Sequence, residues 1–331
     1  MDYYKFVKLI GKGAFGKVTL GINKLTGKQV AIKTIDKNYM KDEFSRKKVF
    51  QEVYILKKIR HANVIRLLEV FEGPKHLFIV MEYASGGDLL KYVKKKGRLN
   101  ENEARVILRQ IVFGLGHIHS RGVLHRDIKL DNILLDADGS VKICDFGVSK
   151  IITKGDKIKE QCGTPAYIAP EVISNEGYDG FFIDHWSLGV LLYAMLCATI
   201  PFKAQNMKEL LKVIRTTSVT FPVALSDNAK NLVRGLLTIN PHDRLSIPEI
   251  LAHPWMKEEC AEDLTESDNM MGVKECLNLE ANPLVPNINI VNVANLFFAE
   301  ESKEKMSYSD YCYICNDLYT QHLGIVNVAL Y

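Results

Sequence analysis

His125-Arg126-Asp127-Ile128-Lys129-Leu130-Asp131-Asn132-Ile133-Leu134-Leu135 leads through a short turn into Val141-Lys142-Ile143-Cys144-Asp145-Phe146-Gly147. Two brief apolar runs flank Asp136-Ala137-Asp138-Gly139, a pattern that predicts a small antiparallel hairpin. The hairpin would carry Asp127, Lys129 and Asn132 on the loop before its first strand and Asp145 just beyond its second. Three oxygen ligands and one ammonium would then converge on one point. Such a grouping suits phosphoryl transfer, where Mg²⁺ takes carboxylate and carbonyl oxygens plus phosphate, and the nucleophile needs a nearby base. Asp136–Gly139 reads as a turn. A calcium loop would need further oxygen ligands and a Gly at its sixth position, where Val141 stands.

Working outward, residues 4–20 alternate as a strand into Gly11-Lys12-Gly13-Ala14-Phe15-Gly16. A bare G-x-G-x-x-G also opens dinucleotide-binding units, and Asp36, twenty residues past Gly16, stands where such a unit keeps an acid. Val18-Thr19-Leu20 decides against that reading, because β-branched alternation continues a strand where a helix is required. The stretch reads as strand, turn, strand: a flap of backbone amides. Val30-Ala31-Ile32-Lys33 is the next strand, and its lysine would be a desolvated cation without a partner. Val49–Ile59 has helical spacing, and Leu77–Met81 reads as a buried strand. Residues 101–120 form a helical pattern with Asn100 as N-cap. Asp184 opens an almost wholly apolar helix through Leu196, a costly position unless its carboxylate accepts N–H bonds.

H-R-D-I-K-L-D-N with D-F-G at the observed spacing resembles the eukaryotic protein kinases. The similarity runs through residues 4–256 in the family's order. It implies an α+β, two-lobed kinase fold, with a small β-rich lobe at about 4–83 and a larger, mostly helical lobe at about 84–256. It also implies transfer of the γ-phosphoryl of Mg-ATP to a protein hydroxyl. In that resemblance Asp127 is the base, Lys129 balances charge on the transferring group, and Lys33 pairs with Glu52 to clamp the phosphates. Asn132 and Asp145 hold Mg²⁺. ATP lies among Ile10, Gly11, Lys12, Gly13, Ala14, Phe15, Gly16, Lys17, Val18, Ala31, Lys33 and, across the cleft, Met81, Glu82, Ala84, Asp88 and Leu134. Met81 is the gatekeeper, and the run after it reads the adenine edge through its backbone. Arg244 pairs with Glu171 of Ala169-Pro170-Glu171.

Lys129 and Thr164 of Cys162-Gly163-Thr164-Pro165 resemble the serine/threonine type. Cys197–Phe202 and Ala252-His253-Pro254-Trp255 resemble the calcium/calmodulin-dependent and AMP-activated group. Many such kinases are activated by phosphorylating a Thr two residues before that Cys; here the position is Glu160. Arg126, Lys150 and Lys48 match positions that meet the phosphate in relatives, so Glu160 is expected to order the segment in its place. Protein substrates with Ser/Thr acceptors are implied, with a modest preference for a basic residue three positions upstream, met by Asp88 and Asp131. Neither nucleic acid nor membrane is an expected partner. The alternative reading is a pseudokinase, a nucleotide-binding scaffold without turnover. Its usual marks are a missing Lys, catalytic Asp or metal Asp, and all of these residues are present.

The 331 residues suffice for one large domain or two ordinary ones, and 47% hydrophobic with 25% charged content is that of a soluble globular chain. No apolar run reaches the ~18 residues of a membrane span. The N-terminus has neither a signal-peptide core nor a myristoylated Gly, so cytosol or nucleus is expected. Seven scattered cysteines argue against a disulfide framework, and Cys312-x-x-Cys315 without a second pair argues against zinc. The net charge of +4 conceals an asymmetry, for residues 257–331 carry thirteen acids against four bases. This acidic extension is expected to be regulatory, docking on the basic kinase domain rather than binding calmodulin, with an amphipathic stretch near Tyr308–His322.

Overall fold

The computed structural model describes residues 3–13, 16–153, 156–174, 177–178 and 180–258. Ala14 and Phe15, both cysteines of the C-x-x-C pair, the amphipathic stretch and nearly all of the acidic extension lie outside the described residues.

Strands β1 (Tyr4–Gly13) and β2 (Gly16–Asn23) pair antiparallel, and β3 (Gln29–Asp36) joins beside β2. Alternation along β3 divides its side chains between two faces. Val30 and Ile32 pack with Phe78 and Val80 in a small cluster, while Ile35 belongs to the main core. Lys33 shares the parity of Ile35. Helix α1 (Glu43–Lys58) is capped by the Asp42 carboxylate on Ser45 N at 2.8 Å and ends in Lys57 and Lys58, which suit the negative end of its dipole. Its buried stripe includes Val49, Glu52, Val53 and Leu56, at helical spacing. Strands β4 (Leu67–Glu72) and β5 (His76–Glu82) complete a five-stranded antiparallel sheet in the order β1-β2-β3-β5-β4.

The second lobe is mostly helical. Strand β6 (Gly87–Asp88) leads into α2 (Leu89–Lys96), and α3 (Glu101–Ser120) begins with Asn100 accepting from Glu103 N at 2.9 Å. Strand β7 (Val123–Leu124) precedes the expected hairpin of β8 (Ile133–Leu135) and β9 (Val141–Ile143), which turns at Gly139 with φ of 81°. Strand β10 (Lys150–Ile151) returns to pair with β7. The chain continues through α4 (Pro170–Ile173), α5 (Phe182–Cys197), α6 (Met207–Thr216), α7 (Asp227–Leu236), α8 (Ile247–Ala252) and α9 (Pro254–Lys257).

Helix α5 is buried on every side from Ile183 to Cys197, which explains why its sequence lacks a polar stripe. It crosses α7 closely because position 189 is glycine, where a Cβ would come 2.8 Å from Leu236 Cβ. Ala104, Leu108, Ile111 and Leu115 of α3 lie in the same core. Two buried arginines fasten the periphery. Arg105, stacked on Trp255 at 4.8 Å, donates through Nε to the Trp255 carbonyl at 2.5 Å. Arg244, 2% exposed, forms a two-pronged bridge to Glu171 at 2.8 and 3.1 Å and also donates to the carbonyls of Thr238, Phe182 and Ile239.

Removing one partner of a buried ion pair strands the other charge and typically costs about 3–5 kcal/mol. Arg244→Leu should lower unfolding free energy by about that amount in urea titrations, since it orphans a carboxylate and those carbonyls together. Glu171→Gln leaves the arginine its carbonyls and should cost less. Equal losses in the two variants would contradict this account of the bridge.

Candidate active site

The loop that carries Arg126 and Asp127 is shaped by a buried carboxylate. Asp184, 0% exposed in the first turn of α5, accepts from His125 N at 2.9 Å, from Arg126 N at 2.8 Å and from His119 Nε2 at 2.9 Å. Burial alone would push its pKa up; the bond from His119 and the backbone bond from His125 hold it below the ordinary aspartate value. Arg126 has φ of 68° and Asp145 has φ of 65°, left-handed conformations that cost L-residues on the order of 1–3 kcal/mol each. His125 is fully buried, and burial keeps its imidazole neutral. Its Nδ1 accepts from Asp127 N at 3.3 Å, which assigns the proton to Nε2, 3.1 Å from the Cys144 carbonyl.

Asp127 is held from every side. Oδ2 lies 2.7 Å from Lys129 Nζ and accepts from Asn132 Nδ2 at 2.9 Å. Oδ1 accepts from Thr164 Oγ1 at 2.8 Å and from Thr164 N at 3.1 Å. Lys129 Nζ also reaches Thr164 Oγ1 at 2.8 Å. Burial raises the Asp127 pKa, but the bonds from Lys129 and Thr164 outweigh it, and the carboxyl titrates below the usual aspartate range. Asn132 uses Nδ2 on the Asp127 carbonyl as well, at 2.8 Å, so its Oδ1 is free to act as a hard oxygen ligand. Its own carbonyl accepts from Cys144 N at 2.9 Å, fastening the loop directly to the residue before Asp145.

Across the cleft, Lys33 Nζ meets Glu52 Oε1 at 2.5 Å, both side chains under 9% exposed. The other Glu52 oxygen is buried without a hydrogen-bond partner among the described residues. A Cβ placed on Gly147 would sit 3.8 Å from that oxygen and 3.2 Å from Asp145 Oδ1, so the orphan opens toward the Asp145 turn. The first hairpin folds over Lys33. A Cβ on Gly13 would stand 3.8 Å from Lys33 Cε, and one on Gly16 would run into the Thr34 backbone. Gly11 pairs with Val18 and Lys12 with Lys17 along β1 and β2. Ala31 pairs with Met81 between β3 and β5, and Leu134 pairs with Asp88 across β8 and β6. Ile10 is at the exposed rim and Ala84 is buried.

Thirty-four residues past Arg126, Glu160 closes a charged triangle. Arg126 Nη1 donates to Oε2 at 2.9 Å and Lys150 Nζ to Oε1 at 3.0 Å. These bonds lower the Glu160 pKa below the ordinary glutamate value of 4.5, although the side chain is 61% exposed. Tyr178 Oη donates to the Glu160 carbonyl at 2.9 Å, and Ile158 bridges to Tyr178 through paired backbone bonds. Lys48 takes no part; its ammonium lies 4.2 Å from the centre of the Phe44 ring.

Other contacts are not foreshadowed by motif. Asp88 caps α2 by accepting from Lys91 N at 2.8 Å and pairs with Lys91 Nζ at 2.6 Å, so its charge is already met. Glu82 turns its side chain to Arg66 N at 2.8 Å and to Lys142 at 3.3 Å. Gln51 Nε2 donates to the Ser149 carbonyl at 3.0 Å. Lysine three residues after aspartate is a readable helix-start pairing. Nothing in the sequence joins Gln51 to a residue 98 positions away.

Among the described residues no cluster of three or more His, Cys, Asp or Glu could hold a metal by itself, and no helix is long and apolar enough to cross a membrane. A small oxygen set fits Mg²⁺, which is usually bound through one or two carboxylates plus substrate phosphates. Asn132 Oδ1 and the Asp145 carboxylate are the groups that would supply that set.

The family model for the protein kinase domain matches residues 4–256. The chain is 42% identical over 254 residues to "Serine/threonine protein kinase OSK3" of Oryza sativa subsp. indica, an alignment covering 77% of this chain and 50% of that one. The chain therefore spans about half the length of this curated relative. A two-lobed fold, a flap over a buried Lys–Glu pair and a fixed carboxylate beside a hard-oxygen site agree with those matches: the chain belongs to the protein kinase family.

Proposed function

We propose that this chain is a serine/threonine protein kinase that transfers the γ-phosphoryl of Mg-ATP to protein hydroxyls, with Glu160 standing in for an activation-segment phosphothreonine. The observation that carries the reading is the Asp127 carboxylate, fixed by Lys129, Asn132 and Thr164 with its pKa lowered and hence ionised at neutral pH. An ionised, oriented carboxylate suits positioning an incoming hydroxyl and receiving its proton. Lys129 brings positive charge to the side where charge develops, and Lys33, held straight by Glu52, reaches toward the phosphates beneath the flap. Bound Mg²⁺ would neutralise phosphate charge, with Asn132 and Asp145 as its protein ligands. Resemblance to the calcium/calmodulin-dependent and AMP-activated group belongs to the same proposal. So does a modest upstream basic preference, which rests more on exposed Asp131 than on Asp88, already paired with Lys91.

The Glu160 triangle is the support for constitutive ordering of the segment. One carboxylate offers one charge and two oxygens where phosphate offers about −1.5 to −2 charges and three. Because the folded pKa of Glu160 is depressed, its contribution is fully present above the ordinary value of 4.5 and is lost as pH falls through the lowered one. Ordering is therefore intact at neutral pH.

Measuring ATP-to-peptide phosphate transfer tests the proposal. Asp127→Asn should lower kcat by at least about 10²-fold while ATP still binds. Wild-type protein that binds ATP but transfers no phosphate would favour the scaffold reading instead. Bacterially made protein should be active as purified and insensitive to phosphatase. Glu160→Gln should lower kcat by about two- to fivefold with the ATP KM little changed, the exposed pair being worth up to about 1 kcal/mol. Glu160→Thr should make activity depend on an added activating kinase. Full activity in the Gln variant would remove Glu160 from the account.

A further inference from the structure

The last turn of α3 carries His117 and His119, and each meets a second histidine from another part of the fold. His117 stacks on His61, from the loop before β4, with ring centres 5.0 Å apart, and His119 lies 5.4 Å from His185 of α5. Nε2 of His117 and both ring nitrogens of His185, itself 4% exposed, are buried without a hydrogen-bond partner among the described residues. The groups facing the pairs give a proton little help. Lys142 on β9 and Arg121 just after α3 bring positive charge to the first pair, and Arg244 brings it to the second. Asp184 faces His185 too, but it is already bonded by His119 and by the N–H groups of His125 and Arg126. Glu249 of α8 is turned onto Ser246 N and Oγ at 2.8 and 2.6 Å, and the Leu245 backbone favours the proton only weakly. Burial, reinforced by His117 and Lys142, lowers the His61 pKa to about 4. Burial and Arg121 lower that of His117, while burial, His119 and Arg244 outweigh Asp184 and bring that of His185 to about 3.

We propose that these two histidine pairs make the end of α3 an acid-sensitive joint, which parts from the loop before β4 and from α5 on mild acidification and so releases the catalytic loop. The path to that loop is short: Gly122 N bonds the His119 carbonyl at 2.9 Å, β7 follows, and His125 comes next. On the other side, Asn63 fastens the loop before β4 to α3 and β9, through Nδ2 on Gln110 Oε1 at 3.1 Å and on the Val141 carbonyl at 3.0 Å. His61 belongs to the same knot, its Nδ1 accepting from Asn63 N at 3.0 Å. The folded pKa values of His61, His117 and His185 lie below the ordinary 6.5, so the closed joint binds fewer protons than the opened one. Closure is therefore fully favoured above about pH 6.5 and weakens as pH falls below it, by about tenfold per histidine at pH 5.5. Together the three make local opening up to about 10³-fold more populated there, and opening one joint costs less than unfolding the chain. The inference rests on the kinase reading for the loss of turnover, but not for the opening itself.

Hydrogen exchange and kinetics on the full chain, compared between about pH 7.5 and 5.5, test this. After correction for the intrinsic pH dependence of exchange, amides 116–124 should lose about 10²- to 10³-fold of their protection in acid, with those in the middle of α5 changing less. His117→Gln and His185→Gln keep a polar side chain that does not titrate. Each should recover about tenfold of the lost protection, and the double variant about a hundredfold. In peptide phosphorylation, kcat of the wild type should fall more steeply with acid than kcat of the double variant, while the two stay close at neutral pH. Should a substitution at a buried ring prevent folding, His61→Gln, at the half-buried member of its pair, carries the same tenfold expectation. Equal acid sensitivity of exchange in wild type and the histidine variants would overturn the joint, as would protection lost evenly across the whole lobe. An inactive wild type whose α3 amides still open in acid through His117 and His185 would overturn the kinase reading and leave the joint standing.

Discussion

One buried carboxylate organises the catalytic face. Asp184 sits in the first turn of a helix that is almost wholly apolar and buried, and it receives the N–H groups of His125 and Arg126 together. An unpaired charge at that depth would be very costly, so the carboxylate and the loop constrain each other. The N–H bonds hold Arg126 in its left-handed turn, which brings its guanidinium to Val148 and Glu160 and sets Asp127 facing Lys129 and Thr164. The neutral ring of His125 extends the same fixation to Cys144, and so to Asp145. The loop, the Asp145 side of the cleft and the charged triangle thus share one anchor.

The Lys33–Glu52 pair is built on a different logic. Both charges are withdrawn from water, and such pairs often contribute little net stability after desolvation. Geometry is the more convincing reason for the pair. Lys33 is fixed by a sheet strand and Glu52 by the buried stripe of α1, so their contact registers helix against sheet. The unpartnered Glu52 oxygen beside the Asp145 turn is a polar group left without its bond, a feature expected more of a working site than of an optimised core.

Much of this was legible in the sequence because it is local or periodic. The β8–β9 hairpin followed from two apolar runs around a Gly turn, and α3 from its spacing and its Asn100 cap. The requirement on Asp184 followed from the cost of an acid in an apolar helix. The pairings of Lys33 with Glu52 and Arg244 with Glu171 were reached through resemblance, not periodicity, since neither partner declares itself alone. What stayed illegible depended on side-chain direction after folding. Lys48 lies one turn from Glu52 yet settles over Phe44, close by on its own helix, rather than on Glu160. Asp88 is a helix cap as well as a cleft residue, and its near neighbour Lys91 takes up its charge. Gln51 carries no motif at all; only the folded chain brings it to Ser149.

The two left-handed residues that flank the cleft, Arg126 and Asp145, give the loop a spring-like character. Glycine at either place would relax the backbone, but it would also enlarge the set of conformations open to the chain when the loop lets go. With side chains present, strain is stored only while neighbouring bonds hold it, and the two N–H bonds at Arg126 and His125 end on a single carboxylate. Removing that one carboxylate would free both N–H groups together, and with them the support for the left-handed turn at Arg126.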